Sequence, residues 1–138
     1  MKFLLDTNVL SDILRQNKAV LAHLTQYQPA DIVMSCVSEG ELMYGLARRP
    51  QAGSLHKAVT ALIANITPLP WDSAAAALYG QLKADLQNNG QPLSELDMMI
   101  AAHAMATGLC LVTSDKAFSR IQGLESRNWR TALGPSAR

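Results

Sequence analysis

The sequence predicts an α/β fold: a three-layer, Rossmann-like α/β/α domain with a mostly parallel central sheet. Three observations predict it. Short apolar runs at Phe3–Leu5, Ile32–Met34 and Leu109–Val112 read as strands buried on both faces. Longer stretches with apolar residues at helical spacing alternate with those runs. The chain has 138 residues, of which 49% are hydrophobic and 17% charged, so it suits one domain with a real core and is not a disordered chain.

The elements follow in order. Phe3-Leu4-Leu5 stops at Asp6, and Asp6-Thr7-Asn8 supplies turn and helix-cap chemistry. Val9-Leu10, Ile13-Leu14 and Val20-Leu21-Leu24 continue at helical spacing. Ile32-Val33-Met34 with Cys36-Val37 forms a second strand-like run. Ser38 then reads as a helix cap, with Leu42, Met43, Leu46 and Ala47 as the apolar face of its helix. Arg48 to Gly53 is a break, and Leu55 to Ile66 is helical again. Thr67-Pro68-Leu69-Pro70 reads as a turn or an edge segment, because proline donates no ladder hydrogen bond. Asp72 or Ser73 caps an alanine-rich helix from Ala74 to Leu86, and Asn88 to Pro92 is a loop. Ser94 opens a helix to Ala106, closed by Gly108 at the C-terminal cap position. Leu109-Cys110-Leu111-Val112 is the clearest strand, and Ser114-Asp115 opens a short helix. Beyond Trp129 the chain is small and polar and is expected to fray.

Charge narrows the function classes. Twelve Lys and Arg against eleven Asp and Glu leave a net charge of +1, so no global basic field draws the protein to nucleic acid. Cys36 and Cys110 lie in apolar runs and read as reduced packing residues, and there is no zinc signature. Asp6 interrupts the first apolar run, which is therefore no secretory signal. The longest mostly apolar stretch, Met98 to Val112, is too short to span a bilayer. A soluble, cytoplasmic protein with no membrane partner is expected.

The acids fall where an open parallel sheet places a ligand, outside the carboxyl ends of its strands. Asp6 follows the first strand directly, and Asp115 lies just beyond Val112. Glu41 is expected in the first turn of the helix after the second strand, and Asp97 in the first turn of the helix before the last. Asp97 shares its face with Ile100, Ala101 and Ala104, an apolar surface where an isolated carboxylate is expensive unless paired or bound to a cation. Oxygen-only acids without His or Cys suit Mg²⁺ or Mn²⁺. Such ions clamp phosphodiester oxygens and activate a water for in-line attack. Capping is the competing explanation for each acid alone. Ser38-Glu39-Gly40-Glu41 is a capping box, Ser94-Glu95-Leu96-Asp97 resembles one, and Asp6 and Asp115 can cap strand–helix junctions. Convergence of all four on one rim is what caps do not require. Asp12, Asp31, Glu39, Asp72, Asp85, Glu95 and Glu125 read as caps or solvated surface.

The remaining polar residues are read as structural first. His103 reads as a hydrogen-bonded core histidine, whereas His23 and His56 read as surface-helix residues. Trp71 and Tyr44 suit core or interface roles ahead of base stacking. Arg48, Arg49, Lys116, Arg120, Arg127 and Arg130 form a mild basic bias compatible with phosphate contact.

Leu4-Leu5-Asp6-Thr7-Asn8-Val9-Leu10 resembles the opening signature of PIN-domain proteins. Ser35 to Gly45, in which Glu41 precedes Leu-x-Tyr-Gly, is similar to that family's second block. Leu96-Asp97-Met98-Met99-Ile100-Ala101-Ala102-His103-Ala104 resembles the third, and Leu111 to Asp115 with Phe118 to Leu124 the fourth. The ordered set runs from about Phe3 to Trp129 and points to the VapC-type branch, which includes FitB-like proteins. The resemblance implies a PIN domain over residues 1–132 with a short polar tail at 133–138. It implies a Mg²⁺- or Mn²⁺-dependent endoribonuclease, the toxin of a type II toxin–antitoxin pair, whose RNA substrates include tRNA. The family's metal-binding acids map onto Asp6, Glu41, Asp97 and Asp115. Asn8 would support the site by hydrogen bonding to a carboxylate or a water, and Thr113 and Ser114 would line the rim, Ser114 standing where the family often has Asn. A homodimer, a VapB-type antitoxin and DNA contact only through that antitoxin are implied as well. Two alternatives stay open. One is a non-catalytic, FitB-like regulatory module acting with a DNA-binding partner. The other is phosphoryl transfer through an aspartyl intermediate, which the Asp6-Thr7-Asn8 segment suits poorly because it lacks a second acid two positions on.

Overall fold

The computed structural model describes residues 2–91 and 93–131, so the polar tail at 133–138 lies outside the described residues. Among these the chain forms a five-stranded sheet in the order β3-β2-β1-β4-β5, with every neighbouring pair parallel. The strands are β1 (Phe3–Leu5), β2 (Ile32–Ser35), β3 (Thr67–Leu69), β4 (Cys110–Val112) and β5 (Ser126–Arg127). The helices are α1 (Thr7–Leu14), α2 (Lys18–Leu24), α3 (Cys36–Arg48), α4 (Gly53–Asn65), α5 (Ser73–Asn88) and α6 (Glu95–Thr107).

The strand period of two sorts β1 between two cores. Phe3 and Leu5 join α1, α2, α3 and α4 on one face, together with Ile32, Met34, Val112 and Trp129. Leu4 faces the other way, onto Leu82, Leu86, Ile100 and Ala101 of α5 and α6 and onto Phe118. All three β1 side chains are fully buried, as expected for the middle strand of a sheet covered on both sides. Three layers result, and the all-parallel sheet puts the ends of β1 and β4 on one rim.

Several local expectations are corrected. The helical spacing from Val9 to Leu24 belongs to two helices, because Gln16 adopts φ +60° and Asn17 caps α2 by accepting from Val20 N at 3.1 Å. The helix after β2 starts one turn early. Ser35, not Ser38, is its N-cap and accepts from Val37 N at 3.1 Å. Cys36 is therefore helical and half-buried, and Glu41 lies in the second turn rather than the first. Asp72 caps α5 and Gly108 closes α6 at φ +69°, a left-handed conformation that glycine enters without a Cβ penalty. Thr67–Leu69 is indeed an edge strand.

The end of the described chain is a strap, not a frayed tail. Trp129 is 1% exposed, stacks on His23 and Tyr27 and meets the edge of Phe3. Arg130 grips Asp12 with two hydrogen bonds of 2.7 and 3.0 Å, and His23 Nε2 lies 2.9 Å from the Thr131 carbonyl. Asp12 and His23 are consequently buried, where a solvated surface was expected. A charge and an imidazole can enter the interior here because each finds a partner from the far end of the chain.

Candidate active site

Asp6 is held from both sides of the rim. Its backbone N–H donates to the Val112 carbonyl at 2.9 Å, extending the β1–β4 pairing by one residue. Oδ1 accepts from Thr7 N at 2.8 Å and so caps α1, and Oδ2 accepts from Thr113 Oγ1 at 2.8 Å. Thr113 Oγ1 also accepts from Asp115 N at 3.1 Å, which ties the two ends of the segment after β4 together. Asp6 is 2% exposed. Burial pushes its carboxyl up from the ordinary 3.8 to about 6; the Thr113 hydrogen bond opposes that, and the charges of Asp97 and Glu41 add to it. Charge thus couples Asp6, just beyond β1, to Glu41 of α3 and Asp97 of α6.

Glu41 is anchored through Thr7, whose Oγ1 donates to Glu41 Oε1 at 2.6 Å. A hydroxyl has one proton, so Ser38 Oγ, 2.8 Å from Thr7 Oγ1, is the donor in that second contact. Ser38 is fully buried on α3, where its side chain supports Thr7 instead of capping the helix. Asp97 stands in the first turn of α6, capped by Ser94, which accepts from Asp97 N at 3.2 Å. Asp97 is half-buried, and burial raises its carboxyl; the Ser94 side chain opposes the rise, and the Asp115 charge reinforces it. Asp115 is exposed and caps the 3-10 turn Lys116–Arg120 by accepting from Ala117 N at 2.9 Å. Asp6 and Asp115 each cap a helical turn, and each also interacts by charge with Asp97.

The expected supporters lie differently on the rim. Asn8 is exposed, and among the described residues its side chain makes no hydrogen bond to a carboxylate. Its neighbour Thr7 carries that contact. Ser114 is half-buried on the rim. Thr7 and Ser38 were not singled out by the sequence; the signal lay in a hydroxyl beside the first acid and another three residues before Glu41. His103 is 1% exposed, with Nδ1 2.8 Å from Ser35 Oγ, and sits behind the site as a core histidine.

The donor set is made of oxygen acids, and none of the ion pairs seen among the described residues involves them, which fits a hard divalent ion. The acids stand at electrostatic spacing: among the described residues no three of them form a ready-made metal cage. Their mutual repulsion is what an entering ion would relieve.

Comparison with known proteins agrees with this fold. Residues 3–124 match the family model of the PIN domain. A tRNA(fMet)-specific endonuclease VapC of Shigella flexneri is 31% identical over 130 residues, covering 94% of this chain and 98% of that protein. Among solved structures, DNA-bound VapBC from Salmonella typhimurium contains a chain with TM-score 0.86 and 30% identity, covering 94% of this chain and 98% of its own. FitAcB from Neisseria gonorrhoeae gives TM-score 0.83 and 28% identity, covering 92% and 97%. A parallel sheet with its acids on one rim, matched over nearly its whole length by such relatives, belongs to the PIN-domain family, on the branch of the VapC ribonucleases.

Proposed function

We propose that the protein is a Mg²⁺- or Mn²⁺-dependent endoribonuclease, the toxin of a VapBC-type pair, with Asp6, Glu41, Asp97 and Asp115 as its working acids. The observation that carries the reading is the setting of Asp6: a buried carboxyl, hydrogen-bonded to Thr7 and Thr113, whose charged neighbours are other acids. Such an arrangement is unfavourable for binding a polyanion by itself and favourable once a divalent cation enters.

Asp6 and Asp97 would be the central ligands, with Glu41 and Asp115 completing or orienting the shell. When bound, the ion supplies Lewis-acid polarisation of the phosphodiester and lowers the pKa of the attacking water. Thr113 and Thr7 would hold the Asp6 and Glu41 carboxylates in place through the 2.8 and 2.6 Å contacts. The raised Asp6 carboxyl makes ion binding compete with protons, so loading strengthens as pH rises through about 6.

The relatives' names support RNA as substrate, with tRNA as the first to test, and a VapB-type partner that neutralises the toxin. A homodimer working in the cytoplasm, with DNA reached only through that partner, belongs to the same reading. A purely regulatory module gains nothing from four crowded acids. The test is cleavage of total RNA and of tRNA with Mg²⁺ or Mn²⁺. Loss of cleavage on chelation and in Asp6→Asn is expected; cleavage that persists through both refutes the assignment.

A further inference from the structure

Exposed large hydrophobic side chains are unevenly spread over this molecule. Among the described residues they are Met43, Tyr44 and Leu96, exposed by 48%, 64% and 43%. Tyr44 and Leu96 line one shallow groove of about 620 Å³ together with Val37, Met99, Thr7 and Glu41. Met43 adjoins it. The groove bridges α3 and α6, and two of its walls, Thr7 and Glu41, belong to the acid cluster. Tyr44 lies one helical turn beyond Glu41, on the same face of α3. One further turn on, the Arg48 guanidinium stands 5.7 Å from the Tyr44 ring centroid.

We propose that this shelf is a nucleobase subsite, in which Tyr44 stacks an unpaired base next to the phosphodiester presented to the carboxylates. The inference rests on the endoribonuclease reading and adds the form of RNA that the site takes. A nucleotide is a flat apolar ring joined to an anion. The shelf offers an exposed aromatic ring, apolar neighbours in Leu96 and Met99, and a cation in Arg48. Whatever occupies the groove lies against Glu41 and Thr7, where the substrate must pass. A base inside a duplex has both faces covered and cannot reach such a shelf, so single strands and loops are the ligands that fit.

The test uses a labelled, mixed-sequence single-stranded oligoribonucleotide, with Ca²⁺ in place of Mg²⁺ so that binding is read apart from turnover. Fluorescence anisotropy is measured for wild type, Tyr44→Phe and Tyr44→Ala, and light scattering gives the mass of each protein. Tyr44 is exposed, so neither variant disturbs the core. Tyr44→Ala is expected to weaken binding about tenfold or more, and Tyr44→Phe by less than about twofold, because stacking needs the ring and not the hydroxyl. The duplex of the same sequence should bind more weakly than the single strand. Equal binding by wild type and Tyr44→Ala, no binding by wild type, or a changed mass in Tyr44→Ala overturns the proposal, the last by making the shelf a protein–protein contact. RNA cleavage with no Tyr44 effect sinks the subsite alone, whereas a Tyr44 effect without cleavage in Mg²⁺ or Mn²⁺ sinks the nuclease assignment alone.

Discussion

Thr113, just beyond β4, donates a 2.8 Å hydrogen bond to Asp6 Oδ2, just beyond β1, so one strand end holds down the carboxyl that burial raises at the other. A hydrogen bond to a charged group contributes about 1.5–3 kcal/mol, and 1.36 kcal/mol corresponds to one pH unit. Thr113→Val keeps the shape and removes the donor. The Asp6 carboxyl should then titrate about one pH unit or more above wild type, read by NMR of metal-free protein. An unchanged midpoint would show that the hydroxyl does not hold the carboxylate.

Asp6 also sets a pH dependence of stability. Its folded value of about 6 lies above the ordinary 3.8, so between those values the folded state binds more protons than the unfolded one. Stability therefore falls as pH rises through that window, by up to about 3 kcal/mol in the absence of metal. Asp6→Asn should be more stable than wild type at pH 7 without divalent ions, while its RNA cleavage is lost. Mg²⁺ or Mn²⁺ should raise the melting temperature of wild type and leave that of Asp6→Asn unmoved. Denaturant titrations and thermal melts with and without the ion decide both points.

His103 works in the opposite sense. Burial lowers its pKa, with the Asp72 charge and a hydrogen bond to the Pro70 backbone opposing that. Ser35 Oγ already accepts from Val37 N, so its own proton is free to serve His103 Nδ1 at 2.8 Å. The folded state keeps the ring neutral where the unfolded chain protonates, so stability is lost as pH falls below the ordinary 6.5. His103→Gln should flatten that acid limb while lowering stability at neutral pH, as urea midpoints measured across the range would reveal.

Arg130→Ala removes both donors from Asp12, which is 4% exposed. Leaving a buried carboxylate unpaired should destabilise the fold by about 2–3 kcal/mol, below the fully buried limit because Arg130 itself reaches water. Asp12→Asn should cost less, and the double variant less than the two single changes added. Coupling near zero in the double-mutant cycle would mean that the ion pair is incidental.

Short apolar runs announced β1, β2 and β4 because a parallel sheet covered on both faces needs uninterrupted hydrophobes. They could not announce β5, two polar-flanked residues at an edge that pair only because β4 is already there. Two serines three residues apart made the start of α3 ambiguous: Ser38-Glu39-Gly40-Glu41 satisfies the capping pattern, yet β2 ends one turn sooner and Ser35 takes the position. The break at Gln16 had no glycine to mark it. Asp6 and Asp115 were legible because each follows a strand and Asp97 because it opens a helix, whereas Glu41, in the second turn of α3, was legible through its Leu-x-Tyr-Gly neighbours. Thr7's contact with Glu41, 34 residues away, and Arg130's with Asp12, 118 residues away, were not, because nothing in local spacing encodes them.

β1, which precedes the other four strands in this sequence, is the middle strand of the sheet. When it leaves the ribosome it has neither neighbour, and Asp6 has no Thr113 and no Asp97 to meet. The acid centre can assemble only after more than a hundred further residues have emerged, and Trp129 and Arg130 fasten the rear face later still. A chain cut short before Thr113 therefore lacks the hydroxyl that holds Asp6 in place.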